Sequence, residues 1–156
     1  SYADVLAVET ADEMIAACRE AAVTADALIS AAAISDFTAD AVDEKIRSGS
    51  PLSVDLRPTP KLLDSVREAH PDLPLVGFKA ETSGDDAAMV AEAERIRDRV
   101  DLAFVVANDA SVMGEEYTRV LLVGSPGTDP EEASGTKDVV AGRIADRLGK
   151  ALELID

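Results

Sequence analysis

The chain has no tryptophan, one cysteine, one histidine and only five lysines among 156 residues, and each scarcity excludes something. A lone Cys18 cannot close an internal disulfide, which fits a reducing compartment and a cytoplasmic location. It reads as a small apolar residue on the inner face of a helix. No apolar run approaches the roughly 20 residues that a membrane-spanning helix needs, and no leader of basic then apolar residues opens the chain. Glycine is scattered. A dinucleotide or P-loop site would show a glycine-rich turn between its first strand and helix, and here that position, Val8 to Met14, reads VETADEM. Positive charge is also scarce: 15 basic residues stand against 31 acids, a formal net charge of -16. Such a field repels nucleic acid and anionic membrane. It also repels a nucleoside triphosphate, unless local cations, a divalent metal or concentrated salt cancel it within a Debye length. Acidic, lysine-poor surfaces suit concentrated salt, so a halophilic host is expected; the competing reading, a generic acidic interaction module, is disfavoured because the acids are spread through the chain and interleaved with apolar periodicity rather than gathered in a disordered tail.

What is present alternates strand and helix without repeats. Val5 to Val8 has the pattern of a short strand, and Thr10 with Glu13 forms a capping box for a helix through about Val23. Further strands are expected at Ala27 to Ala33, at Leu52 to Leu56 where apolar and polar residues alternate, at Leu75 to Phe78, at Leu102 to Ala107 and at Arg119 to Val123. Leu102 to Ala107 is the most apolar of these and should be central. Thr59-Pro60 reads as an N-cap and first helical position for a helix that carries Leu62, Leu63 and Val66 on one face and closes at His70. A histidine there reads as a C-terminal cation or a solvated residue. Helices follow at Ser83 to Arg99, with Asp85 and Asp86 in the first turn, and at Thr136 to Leu154. The stretch GSPGTDPEEASG between them reads as a surface loop. The alternation predicts one α/β domain over residues 1–156: a three-layer, Rossmann-like, mostly parallel sheet with helices on both faces and room for one antiparallel edge strand at the end.

Several residues carry chemistry in that frame. The run from Ala31 to Ser48, AAAISDFTADAVDEKIRS, leaves an apolar strand, presents Asp36 at its carboxyl end and returns two cations, Lys45 and Arg47, in the following loop. Asp36 reads either as a carboxylate holding a ribose hydroxyl or a magnesium ion, or as a turn cap. Lys45 reads either as a flap cation that folds onto phosphate or as a solvated loop residue. Thr59 to Leu63 offers backbone N–H groups at a helix start, where an anion or the edge of a base can be held. Phe78 is either packed against a base or part of the core. Asn108-Asp109, after the central strand, reads as catalytic or as a simple Asx turn.

Together these segments resemble phosphopantothenate-cysteine ligase, most closely its archaeal form, over nearly the whole chain from Val5. Ser30, Ala31 and Ala32 with Asp36 match the strand end that contacts the cytidine nucleotide in that family, with Phe37 at its aromatic position. Lys45, Ile46, Arg47 and Ser48 match its flap, whose lysine is the main catalytic cation. Pro60, Lys61, Leu62 and Leu63 match its helix start. Gly77 to Thr82 match G-F-x-A-E-T, with Phe78 at the base. Ala107 to Ala110 resemble A-N-D-V, and Thr136-Lys137 the S-K before the last helix.

The resemblance implies catalysis by Lys45 and Asp36, Mg2+ at Asp36, and CTP, 4'-phosphopantothenate and cysteine as substrates of a homodimer with sites completed by the partner. It also implies that this chain is the carboxyl-terminal part of a ligase. The family's glycine-rich turn and catalytic asparagine would lie ahead of it, and a decarboxylase domain is often fused. There is one departure. Two lysines that reach the nucleotide in bacterial members align with Glu94 and Asp98, and Arg95 and Arg99 beside them are the expected substitutes, since guanidinium groups grip phosphate well. Two other classes remain open: a Rossmann-like nucleotide-binding domain without ligase activity, for which preference for ATP over CTP would speak, and a dimerising scaffold, which would leave Asp36, Lys45 and Phe78 dispersed.

Overall fold

The computed structural model describes residues 3–39, 49, 51–81, 85–109 and 116–153. Its main sheet has five strands in the order β1-β4-β5-β6-β7, formed by Leu28–Ser30, Leu75–Glu81, Phe104–Asp109, Tyr117–Val123 and Glu131–Thr136. β1, β4 and β5 pair in parallel, while β6 is antiparallel to both β5 and β7. Four strands therefore point one way and only β6 is reversed. The apolar segment expected at the centre, now β5, is central. A separate antiparallel pair joins β2, Phe37–Ala39, to β3, Leu56–Pro58.

The period-two alternation of the strands sorts side chains onto two faces. On one face Leu75, Val105, Ala107, Leu121 and Val123 form a core with α1 (Ala11–Ala21), α2 (Leu62–Ala69) and α3 (Asp86–Val100). On the other, Val76, Phe104, Val106, Val120, Leu122 and Ala133 pack with α4 (Lys137–Glu153) through Val140 and Ile144. The result is three layers with helices on both faces, as expected. The helix ends follow local chemistry. Thr10 and Glu13 complete the capping box of α1, and the Asp85 carboxylate caps α3 at Ala87 N, 3.1 Å away. Arg67 ties two helix ends together: its guanidinium donates to Val100 O at 3.0 Å, to Asp101 O at 2.7 Å and to the Pro71 carbonyl. His70 is the C-cap of α2, and its Nε2 lies 2.9 Å from Arg19 O of α1.

Four sequence expectations need correction. Val5 to Val8 forms no strand, because no strand among the described residues pairs with it, and Val5 and Leu6 are exposed. Only Leu56 of the Leu52 to Leu56 alternation enters a strand, and its partner, β2, arises inside the loop expected after Asp36. Helix α2 begins at Leu62, with Lys61 rather than Thr59 as its N-cap and no side-chain cap. Thr59 is instead buried, and its N–H donates to Asp36 O, just ahead of β2, at 2.9 Å. Finally, β7 lies within the expected loop. Its outer positions are polar because it is an edge strand covered on one face only, and just Ala133 is buried in the core. The sheet thus has two antiparallel pairings where one was allowed.

Candidate functional site

Parallel strands β1, β4 and β5 bring their carboxyl ends to one edge, where backbone groups and loop side chains meet solvent. β1 ends at Ser30, which is in register with Gly77 of β4, so Ser30 lies beside the strand that carries Phe78 and Lys79. Ala31 and Ala32 leave the sheet exposed, and the chain reaches Asp36 just before β2. The Thr59–Asp36 backbone bond draws the start of α2 against this turn. There the Lys61 ammonium donates to the Asp36 carboxylate. That bond and the charge of Lys61, followed by the charge of Lys79, hold the Asp36 carboxyl below its ordinary range.

Gly77 lets α2 sit this close to β4. A Cβ at that position would come within 2.9 Å of Leu102 Cδ1 and 3.2 Å of Leu63 Cδ1. Leu62 is buried and Leu63 packs against the core, so both offer the edge only their backbone, whereas Pro60 is exposed. Alternation puts Phe78 on the α4 side of the sheet, 37% exposed. Lys79 projects to the opposite side, 3.8 Å from Glu92 of α3. Glu92 also accepts two hydrogen bonds from Arg95, at 2.8 and 2.7 Å, which lower its carboxyl with help from Lys79.

The structure thus gathers Asp36, Lys61, the first turn of α2, Ser30 and the Phe78-Lys79 dipeptide at one edge. Lys45, with Arg47 and Ser48, lies outside the described residues, as does Thr82. The expected substitutes on α3 are otherwise engaged, Arg95 with Glu92 and Arg99 with Asp64. Glu94 and Asp98 both face Arg97, at 4.0 and 2.8 Å. Arg97 is buried and donates to Gly124 O, just past the end of β6 that pairs with the start of β5. This places the pair toward the amino-terminal edge of the parallel strands, away from Asp36. Asn108 and Asp109 are the last residues of β5, and the residues that would complete an Asx turn after them lie outside the described ones.

Sequence reasoning passed over two features. Lys79 occupies the unread variable position of G-F-x-A-E-T, and its signal was the scarcity of lysine. A cavity of about 540 Å³ lies beyond the start of α3, lined by Asp86, Met89, Asp109, Tyr117 and Arg119. Arg119 is clamped there by Asp86, at 2.8 and 2.7 Å, and by Glu132 at 2.8 Å, which keeps it firmly charged. Nothing in the periodicity marks a pocket between strands distant in the chain. For a magnesium ion the described residues offer no cluster of three or more His, Cys, Asp or Glu side chains. Asp36 is a single carboxylate already engaged by Lys61, so a magnesium ion held there would take most of its oxygen ligands from groups other than these side chains.

The family model for the C-terminal domain of the DNA/pantothenate metabolism flavoprotein matches residues 1–152. The chain belongs to this family. The bifunctional coenzyme A biosynthesis protein CoaBC of Thermococcus kodakarensis is 39% identical over 110 residues, 70% of this chain and 27% of that protein. The CoaBC of Methanocaldococcus jannaschii is 32% identical over 148 residues, 94% of this chain and 36% of that protein. The chain therefore spans about a third of the length of these relatives. Among solved structures, the DNA/pantothenate metabolism flavoprotein of Streptococcus pneumoniae superimposes with a TM-score of 0.78 at 19% identity, covering 92% of this chain and 71% of that one. A Cab2 variant in complex with phosphopantothenate-cysteine gives 0.74 at 20% identity, covering 96% and 53%. At these identities the likeness establishes the α/β fold of the family domain.

Proposed function

We propose that this domain carries out the CTP-dependent joining of 4'-phosphopantothenate to cysteine. The observation that carries the reading is the Asp36–Lys61 contact beside β4. It unites three motifs, the strand end at Ser30 to Asp36, the helix start at Pro60 to Leu63 and the Phe78 strand, on one sheet edge in a chain of this family. Of the three residues that a dimerising scaffold would leave dispersed, Asp36 and Phe78 lie at this edge and Lys45 is outside the described residues. The CoaBC relatives and the Cab2 complex with phosphopantothenate-cysteine support the substrate class.

The reaction needs activation because a carboxylate is a poor electrophile. In this reading the substrate carboxylate attacks the α-phosphate of CTP and pyrophosphate leaves. The cysteine amine then attacks the acyl carbon of the acyl cytidylate, loses a proton, and CMP departs with the P–O bond intact. Asp36 and the backbone of Ser30 to Ala32 hold the nucleotide's sugar, the N–H groups at the start of α2 hold its base, and Phe78, on the other face of the sheet at the same edge, is the aromatic that the family resemblance assigns to the base. Lys45 offsets negative charge growing on the transferring phosphate. Asp36 is the residue that would hold a magnesium ion, which would supply neutralisation of phosphate charge.

The test is an assay of the longest native form of the protein with CTP, 4'-phosphopantothenate, cysteine and Mg2+ in molar KCl. One CMP and one pyrophosphate are expected per amide formed. Lys45→Gln should lower turnover at least about a hundredfold while the protein stays folded, a loss of the size seen when a charge stabilising the transition state is removed. Equal turnover with ATP would remove the CTP assignment, and unchanged turnover in the variant would remove Lys45 from the mechanism.

A further inference from the structure

Thr59 is 5% exposed, and its hydroxyl oxygen, shielded from solvent, has no hydrogen-bond partner among the described residues. No other buried side-chain oxygen or nitrogen among them is left in that state. The backbone already fixes the residue, since its N–H donates to Asp36 O at 2.9 Å. A buried hydroxyl without a partner costs stability that valine, its apolar isostere, would not cost, so an occasional partner from outside the chain explains why threonine stands there. Thr59 forms part of the wall of a groove of about 390 Å³ between the start of α1 and the segment from Ala33 to Thr38. Val8, Met14 and Ile34 give the groove apolar sides, and Ser35, the neighbour of Asp36, brings it up to the sheet edge described above. The helix end in this groove does not call for an anion. The Glu13 carboxylate already accepts from the N–H groups of Glu9 and Thr10, at 2.8 and 3.2 Å, and Asp12 adds a second carboxylate in the same turn. A phosphate or carboxylate placed there would meet both, whereas an uncharged group that accepts a hydrogen bond would not be repelled.

We infer that the groove takes the uncharged middle of the acid substrate, an amide and a hydroxyl beside branched alkyl carbon, and that Thr59 turns its hydroxyl about χ1 to hydrogen-bond it. This rests on the ligase reading above, in which the carboxylate of 4'-phosphopantothenate must reach the α-phosphate of a nucleotide held beside Asp36. That acid is charged at both ends and neutral between them, where a carbon bearing two methyl groups stands next to a hydroxyl and an amide. The methyl groups match Val8, Met14 and Ile34, and the Thr59 hydroxyl donates to the amide carbonyl or to the substrate hydroxyl. Threonine has a single χ1 to turn, with two accessible wells, so the change needs no backbone movement. The ribose of the nucleotide also offers uncharged hydroxyls, and the two sources separate kinetically. Thr59 is a binding residue in this scheme and takes no part in bond making.

The experiment pairs stability with steady-state kinetics in the longest native form carrying Thr59→Val or Thr59→Ser. Without ligands the thermal midpoint of Thr59→Val should equal or exceed that of the wild type, because the change removes a buried hydroxyl that has no partner. A lower midpoint would show that the folded protein already satisfies the hydroxyl, and would overturn the inference. Loss of one neutral hydrogen bond should raise KM for the acid about threefold to tenfold in Thr59→Val, with kcat at saturating acid lowered no more than about twofold. The KM values for CTP and cysteine should not move, and Thr59→Ser, which keeps the hydroxyl, should restore most of the affinity. An unchanged acid KM, or a rise confined to CTP, overturns the inference while leaving the ligase reading intact. Binding of panthenol, the uncharged alcohol that keeps the two methyl groups, the hydroxyls and the amide, reads the groove without turnover by saturation-transfer NMR. Panthenol binding that Thr59→Val weakens supports the site even if ligation fails, whereas equal binding by the variant refutes it.

Discussion

Asp36 sits at the meeting point of two cations, and its ionisation reports whether they are in place. Its carboxyl lies below the ordinary value of 3.8 because Lys61 donates to it and Lys79 adds favourable charge. A depressed folded-state pKa contributes stability that is present above the ordinary value and is lost as the pH falls through the depressed one. Lys61→Met should therefore move the Asp36 titration up toward 3.8, as followed by carboxyl-carbon NMR, and should remove the acid-side part of that linkage. A midpoint unchanged from the wild type would mean that Lys61 does not hold Asp36 in solution. Asp36 itself was legible in the sequence, since a carboxylate directly after an apolar strand has few other places to go. Its partner was not singled out, because Lys61 was noted for the helix start rather than for its ammonium, and 25 residues separate the two.

At the scale of elements, the site depends on how closely α2 lies against β4. Gly77 has little room, with Leu102 and Leu63 pressed on the position a Cβ would take. Gly77→Ala should cost about 1 to 3 kcal/mol of stability by overpacking, read from the shift of the denaturant midpoint. It should also displace the start of α2, so that Asp36 loses Lys61 and its pKa rises in the same variant. Stability and Asp36 titration both equal to wild type would show that Leu63 moves aside freely. The sequence places α2 within three residues because its apolar spacing is unambiguous. It misplaces the cap, because Thr59 is drawn into a backbone bond with Asp36 that no local rule contains. The same reason hid β2 and β7, whose pairing partners supply what their own residues lack.

For the whole molecule, charge and exposed apolar surface decide behaviour. A chain with net charge -16 repels itself, and salt shortens the range of that repulsion from about 10 Å at 0.1 M to about 3 Å at 1 M. We propose that the domain is built for concentrated salt. Its thermal midpoint is expected to rise by about 5 °C or more across that range, roughly 1 to 2 kcal/mol for a chain of this size. A flat or falling midpoint would argue against a halophilic host. We also propose that the domain acts as a homodimer. Phe37 and Leu56 of the separate β2–β3 pair are 57% and 61% exposed, and Leu52 and Val54 beside it are similarly open, a concentration of apolar surface that a second copy would cover. Sedimentation should give a dimer that Leu56→Asp dissociates, and a monomeric wild type would sink the assignment.

Fold class and the order of the central elements were determined by the sequence alone, because burial on both faces of β5 and on one face of each helix imposes periodicities that local pattern displays. Its ordered motifs were also enough to indicate the family. The arrangement of charge was decided only by tertiary structure. Lys61 meets Asp36 and Lys79 meets Glu92 through contacts between elements far apart in the chain. Coulomb energy depends on distance in space, and strand order with helix packing sets that distance where composition does not.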